Sequence, residues 1–310
     1  MYAGSRIGVV VPAWNESRLI ASTLSTMPDF VDRIVVVDDA STDDTAERAR
    51  AVGDPRVTVI THEVNGGVGS AILTGHSILF AEGCDVSVVM AGDAQMDPAY
   101  LSTLLDPIVN DGIGFAKANR FFNASSYAGM SRTRIFGNVV LSFLTKASSG
   151  YWHLFDPQNG YTALSASAWR LLDVASIARG YEFENSVLIN LNIANVRARD
   201  VPIPAIYGDE VSGIRLPRIV PRLLRTLWRG FWFRIVRKYV VPSFSPVALL
   251  LFTGLALAGF GFVIGVFALA YSIGPREAST GTWLLSVAPG LTGVFMLIQA
   301  LVLDIEESPR

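Results

Sequence analysis

This sequence is short of cysteine, of histidine and, over one long stretch, of acid. Its 310 residues hold one cysteine, Cys84, and three histidines. A single cysteine excludes an intrachain disulfide and a cysteine-based zinc site, and Cys84 reads as a small buried apolar residue. His62, His76 and His153 show no metal-ligand spacing; they are assigned no role, and His62 and His76 are expected to be structural. No Asp or Glu occurs between Glu210 and Glu277. Charged residues make up 17% of the chain against 51% hydrophobic, which is apolar for a soluble protein. The opening segment from Met1 to Pro12 is too short, and too soon followed by polar residues, to read as a signal peptide. There are no repeats and no low-complexity segment, and with a net charge of -2 no nucleic-acid partner is expected.

Two features lie in and just beyond the acid-free stretch. Val247–Ile273 and Trp283–Leu303 are charge-free apolar runs of 27 and 21 residues. About 20 apolar residues span the hydrocarbon core of a bilayer as a helix, so each run is long enough to cross. Ahead of them, Arg215, Arg218, Arg222, Arg225, Arg229, Arg234, Arg237 and Lys238 form a local basic block that leaves the rest of the chain near -10. Such a block suits anionic lipid headgroups. Positive charge marks the cytoplasmic side, so both termini are expected in the cytoplasm and the 274–281 link outside. Within Pro217–Tyr239, apolar pairs recur every four residues, from Ile219-Val220 to Ile235-Val236. A helix turns 100° per residue, so a four-residue repeat drifts about 40° per step. Two short helices bent near Gly230 and lying on the membrane accommodate that drift; the alternative is a helix packed on the preceding domain with its arginines solvated.

The first 120 residues alternate short apolar runs with helical stretches. Ile7–Val11, Ile34–Val37, Val57–Ile60 and Val86–Met90 read as strands covered on both faces. Helices are expected near Ser17–Thr26, Asp43–Val52, Gly69–Glu82 and Ala99–Asn110. This rhythm implies right-handed crossovers and a mostly parallel sheet, with ligands at the carboxyl ends of the strands. Further on, a helix over Arg132–Ala147, a loop over Ser148–Gly160, a strand over Tyr161–Ser165, a helix over Glu184–Asn195 and an edge strand around Val201–Pro204 are expected. The domain reading is 1–212 for an α/β catalytic domain, 213–243 for juxtamembrane amphipathic helices and 244–310 for a two-span anchor.

Three clusters at strand ends carry candidate chemistry. Asp93 and Gln95 follow the fourth strand; a carboxylate and an amide oxygen two residues apart suit Mg²⁺ or Mn²⁺ shared with phosphate oxygens, although Asp97-Pro98 also suits a plain helix start. Asp38 and Asp39 end the second strand, where one of them can accept a hydrogen bond from a base N–H or a ribose hydroxyl. Ser41 or Thr42 can cap the helix that follows, which accounts for Asp43 and Asp44 without function. Asn65-Gly66-Gly67-Val68-Gly69 leads into a helix and is either a backbone that approaches phosphates or an Asn-Gly turn.

Taken in order, these segments resemble glycosyltransferase family 2, with the GT-A fold. Val10-Val11-Pro12-Ala13-Trp14-Asn15-Glu16, Asp38 to Thr45, and Asp93-Ala94-Gln95 look like that family's V-P-x-(Y/W)-N-E, D-D-x-S-x-D-x-T and the tail of D-x-D-x-Q. Asn119-Arg120-Phe121, Asp156 to Tyr161 and Tyr181 to Asn185 fall where its polyprenyl-phosphate branch, which includes dolichyl-phosphate mannose synthases, has related segments. The resemblance covers about residues 6–240. Ala91 departs from it, standing where the family has the first metal-region Asp.

The resemblance implies a Rossmann-like catalytic domain followed by interfacial helices and two transmembrane helices, in the plasma membrane of a prokaryote. It implies inverting transfer from a nucleotide-diphosphate sugar, UDP favoured over GDP, to a polyprenyl phosphate. Pro12, Ala13, Trp14, Glu16, Asp38, Asp39, Asn65, Gly66 and Gly69 would hold the donor, and Asp93 with Gln95 the metal. Trp14 could instead be core packing. Arg120, Arg132, Arg134, Arg215 and Arg218 are candidates for phosphate contact or for surface salt bridges. Asp156 is a base, an orienting acid or a loop cap. The lipid bilayer is a partner, and a homo-oligomer through the spans is compatible with the resemblance. A processive polysaccharide synthase would show a Q-x-x-R-W motif and more spans. A sugar-nucleotide-binding scaffold impaired by Ala91, or a synthase for another membrane acceptor, are the remaining alternatives.

Overall fold

The structure is a computed structural model and describes residues 1–122, 132–156, 159–180, 182–204, 216–273 and 277–310. Seven strands form one sheet in the order β3-β2-β1-β4-β6-β5-β7. In chain order the elements are β1 (Ile7–Ala13), α1 (Ile20–Ser25), β2 (Arg33–Asp38), α2 (Thr45–Ala51), β3 (Val57–Thr61), α3 (Val68–Ala81), β4 (Val86–Val89), α4 (Leu101–Asp111) and β5 (Phe115–Asn119), then α5 (Arg132–Ser149), β6 (Thr162–Ser165), α6 (Ala166–Trp169), α7 (Phe183–Ile193) and β7 (Ala198–Pro202). The strands β3, β2, β1 and β4 are parallel, as the strand-helix rhythm predicts. Only β6 runs against its neighbours β4 and β5, and β7 lies at the edge, parallel to β5.

The apolar strands are covered on both faces because their alternate residues enter different layers. Val9, Val11, Ile34 and Val36 join Ile20, Leu24, Leu104 and Ile108 on one face. Val10, Val35 and Val37 meet Ala71 and Leu79 of α3 on the other. Fully burying one such side chain contributes about 1.5–3 kcal/mol, so the sheet centre is rigid and its carboxyl rim is well placed to present polar loops.

The helix α8 (Leu216–Arg234) continues into a π-helical stretch over Ile235–Val240. This corrects the expectation of two helices bent near Gly230. The α-helix runs on through Gly230 to Arg234, and the wider turns that absorb register drift lie beyond it. Gly230 is a packing residue instead: a Cβ there would stand 2.3 Å from Ile189 Cδ1 and 3.2 Å from Ser148 Oγ.

The chain divides into two compact units, Met1–Phe231 with Pro309–Arg310, and Trp232–Ser308. The second holds α9 (Pro246–Ser272) and α10 (Thr280–Glu306), both long and apolar enough to cross a membrane. They pack along a seam of small residues. A Cβ on Gly261 would lie 2.6 Å from the Gly290 backbone, and Ser286 Oγ donates to Gly261 O at 2.8 Å. Close backbone approach of this kind replaces the hydrophobic drive that is absent between helices in lipid.

Candidate active site at the carboxyl rim of the sheet

The polar residues singled out in the sequence gather at one edge. Asn15, Ala40 and Ala94, which follow β1, β2 and β4, all have left-handed backbones, with φ of 59°, 58° and 57°. Asp156, in the loop before β6, has φ 49°. Such conformations cost energy and persist only where surrounding contacts fix them. Here the fixing contacts are visible.

The loop after β1 is stitched to the loop after β2. Asn15 Oδ1 accepts from Thr42 N at 2.8 Å, Asn15 N donates to Ser41 Oγ at 2.9 Å, and Glu16 N donates to Thr45 Oγ1 at 2.9 Å. Ser41 and Thr42 therefore serve the β1 loop and do not cap α2, as the sequence suggested; Asp44 is at that cap position and makes no side-chain cap bond. Trp14 is 56% exposed, which rules out core packing, while Pro12 and Ala13 lie buried in β1.

Asp38 and Asp39 are both buried. Asp38 Oδ1 accepts Ser41 N at 3.2 Å. Asp39 Oδ1 accepts Gly66 N at 2.9 Å and pairs with His62 Nδ1 at 2.7 Å, and its Oδ2 accepts Gly67 N at 2.8 Å. Asn65 Nδ2 donates to Asp39 O at 3.1 Å. Asp39 thus organises the glycine segment, and His62 sits between it and Thr74, with Nε2 3.1 Å from Thr74 Oγ1.

In this structure the glycine segment is bonded and packed within the chain. The amides of Gly66 and Gly67 are spent on Asp39, and Ser70 N donates to Arg179 O at 3.2 Å over the start of α3. The glycines are there because the 178–180 segment lies against them. A Cβ on Gly67 would be 2.7 Å from Arg179 O, one on Gly69 2.7 Å from Phe183 Cδ2, and Gly67 has φ 88°.

Asp93 is half-buried after β4, and its Oδ1 accepts Gln95 N at 3.0 Å. Burial pushes its carboxyl above the usual range, with the Gln95 N–H pulling the other way. Gln95 is exposed. Among the described residues no cluster of three or more His, Cys, Asp or Glu side chains could hold a metal. A site of one carboxylate and one amide oxygen fits Mg²⁺ or Mn²⁺, which keep several waters and take phosphate oxygens as further ligands.

Across the sheet, Arg120 directly follows β5 and grips Asp156 from two sides. Arg120 Nε reaches Asp156 Oδ2 at 2.7 Å, Nη2 reaches Oδ1 at 2.8 Å, and Arg120 N donates to Oδ2 at 3.1 Å. Asp156 is 2% exposed and Arg120 36%. Burial alone would raise the Asp156 carboxyl, but the hydrogen bonds and charge of Arg120, with the charge of Lys117, hold it below the usual range. A carboxylate held ionised in a two-pronged pair orients a guanidinium.

Arg215 and the side chains of Arg132, Arg134 and Arg218 lie outside the described residues, as do Pro157, Gln158 and Tyr181 of the quoted motifs. Sequence reasoning missed Lys117, Asp200 and Glu184. Lys117 had a signal, a single charge inside the apolar strand Phe115-Ala116-Lys117-Ala118. Glu184 lines a cavity with His76, Asn159 and Thr162, and burial pushes its carboxyl up to about 7.

The chain is similar to known proteins. The family described as "Glycosyl transferase family 2" matches residues 8–171. A UDP-N-acetylglucosamine–dolichyl-phosphate N-acetylglucosaminyltransferase of Methanococcus voltae is 30% identical over 67% of this chain and 88% of its own length. An undecaprenyl-phosphate mannosyltransferase of Micrococcus luteus is 28% identical over 67% of this chain and 86% of its own. A glucosyl-3-phosphoglycerate synthase from Mycobacterium tuberculosis, solved with Mn²⁺, uridine diphosphate and phosphoglyceric acid, superposes with a TM-score of 0.55 at 23% identity, covering 75% of this chain and 79% of that one, and so shares the fold. By the family match and by the identity and coverage of these relatives, the chain belongs to glycosyl transferase family 2.

Proposed function

We propose that this protein transfers a sugar, with inversion, from a nucleotide-diphosphate sugar to a polyprenyl phosphate at the cytoplasmic face of a membrane. The observation that carries the acceptor is the Arg120–Asp156 pair: a guanidinium held by a buried carboxylate at the carboxyl end of β5, in a chain that also has two apolar helices long enough to span a bilayer. A phosphate monoester is anionic at pH 7, so it needs placement more than deprotonation. Its oxygen attacks the anomeric carbon from the side opposite the leaving diphosphate. Arg120 binds the acceptor phosphate, and Asp156, kept ionised, fixes the direction of that guanidinium and takes no proton. Trp14, Pro12, Ala13 and Glu16 line the nucleotide end, and Asp39 supports it by holding residues 65–67. Asp93 and Gln95 would hold a divalent metal, which when bound neutralises the departing diphosphate.

The UDP-using relative supports UDP over GDP, and the basic block from Arg215 to Lys238 supports a cytoplasmic catalytic domain with both termini on that side. Ala91 is the one observation that favours a catalytically impaired nucleotide-sugar-binding scaffold. The deciding assay supplies purified full-length protein with undecaprenyl phosphate, Mg²⁺ or Mn²⁺, and labelled UDP- and GDP-sugars. The expected result is label in the organic phase, lost in Asp93→Ala. No lipid-linked label from any donor, with the protein folded, would overturn the enzyme reading in favour of the scaffold.

A further inference from the structure

The mechanism above leaves one buried charge without a task. Lys117 is 1% exposed. Its ammonium has three donors, and three backbone oxygens accept them, Phe155 O at 2.5 Å, Asp156 O at 2.7 Å and Ala118 O at 3.5 Å, while Asp200 Oδ1 forms an ion pair with it at 3.2 Å. No donor is left for a substrate, so Lys117 does not contact phosphate itself. Asp200 sits opposite Lys117 in the β5–β7 register. Its Oδ2 accepts Phe155 N at 2.5 Å and Asn119 Nδ2 at 3.2 Å. The N–H and C=O of Phe155 and the C=O of Asp156 are therefore all tied to one buried ion pair.

A buried ion pair is weak evidence for stability, since apolar residues of similar volume often serve as well or better. What this pair does supply is geometry. It fixes the two peptide groups that lead into Asp156, whose φ of 49° is a left-handed conformation. Asp156 in turn sets Arg120. We propose that Lys117 is a positioning residue, which with Asp200 clamps the Phe155–Asp156 backbone and thereby aims the Asp156 carboxylate and the Arg120 guanidinium at the acceptor phosphate. The proposal rests on the roles given above to Arg120 and Asp156.

The test uses full-length protein in lipid nanodiscs containing undecaprenyl phosphate, comparing wild type with Lys117→Met/Asp200→Asn. The double variant removes both charges and keeps an acceptor for Phe155 N. Thermal unfolding should stay cooperative. Amide exchange over 154–156 should quicken, and kcat for transfer should fall on the order of a hundredfold, as for misplaced reacting groups, with the donor KM unchanged. A purely structural pair would lower the amount of folded enzyme without this split. Wild-type kcat in the double variant, or unchanged exchange at 154–156, overturns the proposal. Should the double variant not fold, Asp200→Asn alone carries the same two readouts. If wild type labels no polyprenyl phosphate, the acceptor reading fails, while amide exchange over 154–156 still decides the clamp: quickened exchange supports it and unchanged exchange overturns it.

Discussion

Arg234 and Asp304 form a buried two-pronged ion pair, with Nη1 to Oδ1 at 2.5 Å and Nη2 to Oδ2 at 3.0 Å, and Tyr239 donates its hydroxyl to the same Oδ1 at 2.7 Å. Arg234 is fully buried. This cluster ties the end of α8 to the end of α10 within the second compact unit. It also explains why the charge-free run stops at Leu303: the next residue is the partner of an arginine 70 positions earlier.

Removing one partner of such a pair strands the other. Asp304→Leu should therefore destabilise the protein by about 3–5 kcal/mol, whereas Arg234→Met with Asp304→Leu should recover most of that loss. Thermal unfolding in detergent, followed by tryptophan fluorescence, measures both. Equal losses in the single and double variants would show that the cost lies in the contacts of Asp304 itself and not in a stranded arginine.

Asp39 yields a second expectation, because it serves the chain's own backbone. In Asp39→Ala, the N–H groups of Gly66 and Gly67 lose their acceptor and His62 loses its partner. Gly66 is exposed and Gly67 half-buried, so each lost bond costs about 0.5–1.5 kcal/mol. A fall in unfolding midpoint together with weaker UDP binding by calorimetry is expected. Weaker binding with an unchanged midpoint would instead mean that Asp39 acts only by touching the nucleotide.

Much of this architecture was legible in the residues. Near-continuous β-branched runs such as Val9-Val10-Val11 can only be buried on both faces, and that gave the parallel sheet and its polar rim. The two apolar helices followed from run length alone. What the residues hid were the partners of polar groups. Asn-Gly-Gly reads equally well as a phosphate loop or a tight packing site, and its packing against Arg179, more than a hundred residues away, is not displayed by the segment itself. Ser41 and Thr42 looked like caps because capping is a local rule, whereas their partner Asn15 is in the loop after another strand. Lys117 and Asp200 are 83 residues apart and meet through strand register, which a single sequence does not display.

Ala91 supplies a third expectation. Its backbone N–H donates to Met96 Sδ at 3.2 Å, a bond that does not involve the side chain. Ala91→Asp therefore adds a carboxylate near Asp93 without disturbing that turn. Affinity of oxygen-ligand sites rises with the number of charged ligands, so the Mn²⁺ concentration for half-maximal transfer should drop by roughly tenfold. A metal titration of the transfer assay measures it, and an unchanged midpoint would place metal binding away from the 91–95 segment.

His76 makes stability depend on pH in a direction that can be worked out. Burial pushes its pKa from 6.5 down to about 3, its Nδ1 pairs with Ser87 Oγ at 2.7 Å, and its ring lies against those of Phe80 and Trp169. The folded protein therefore holds His76 neutral, while the unfolded chain binds a proton below pH 6.5. Stability is full above that value and falls as pH drops from 6.5 towards 3. One pH unit of this linkage is worth 1.36 kcal/mol, so about 2 kcal/mol should be lost from this group between pH 6.5 and 5. His76→Gln keeps a hydrogen-bonding group for Ser87 and cannot titrate. Its unfolding midpoint should start lower than wild type at pH 7.5 but decline less steeply on acidification. Parallel curves for the two proteins would show that His76 keeps its solution pKa in the fold.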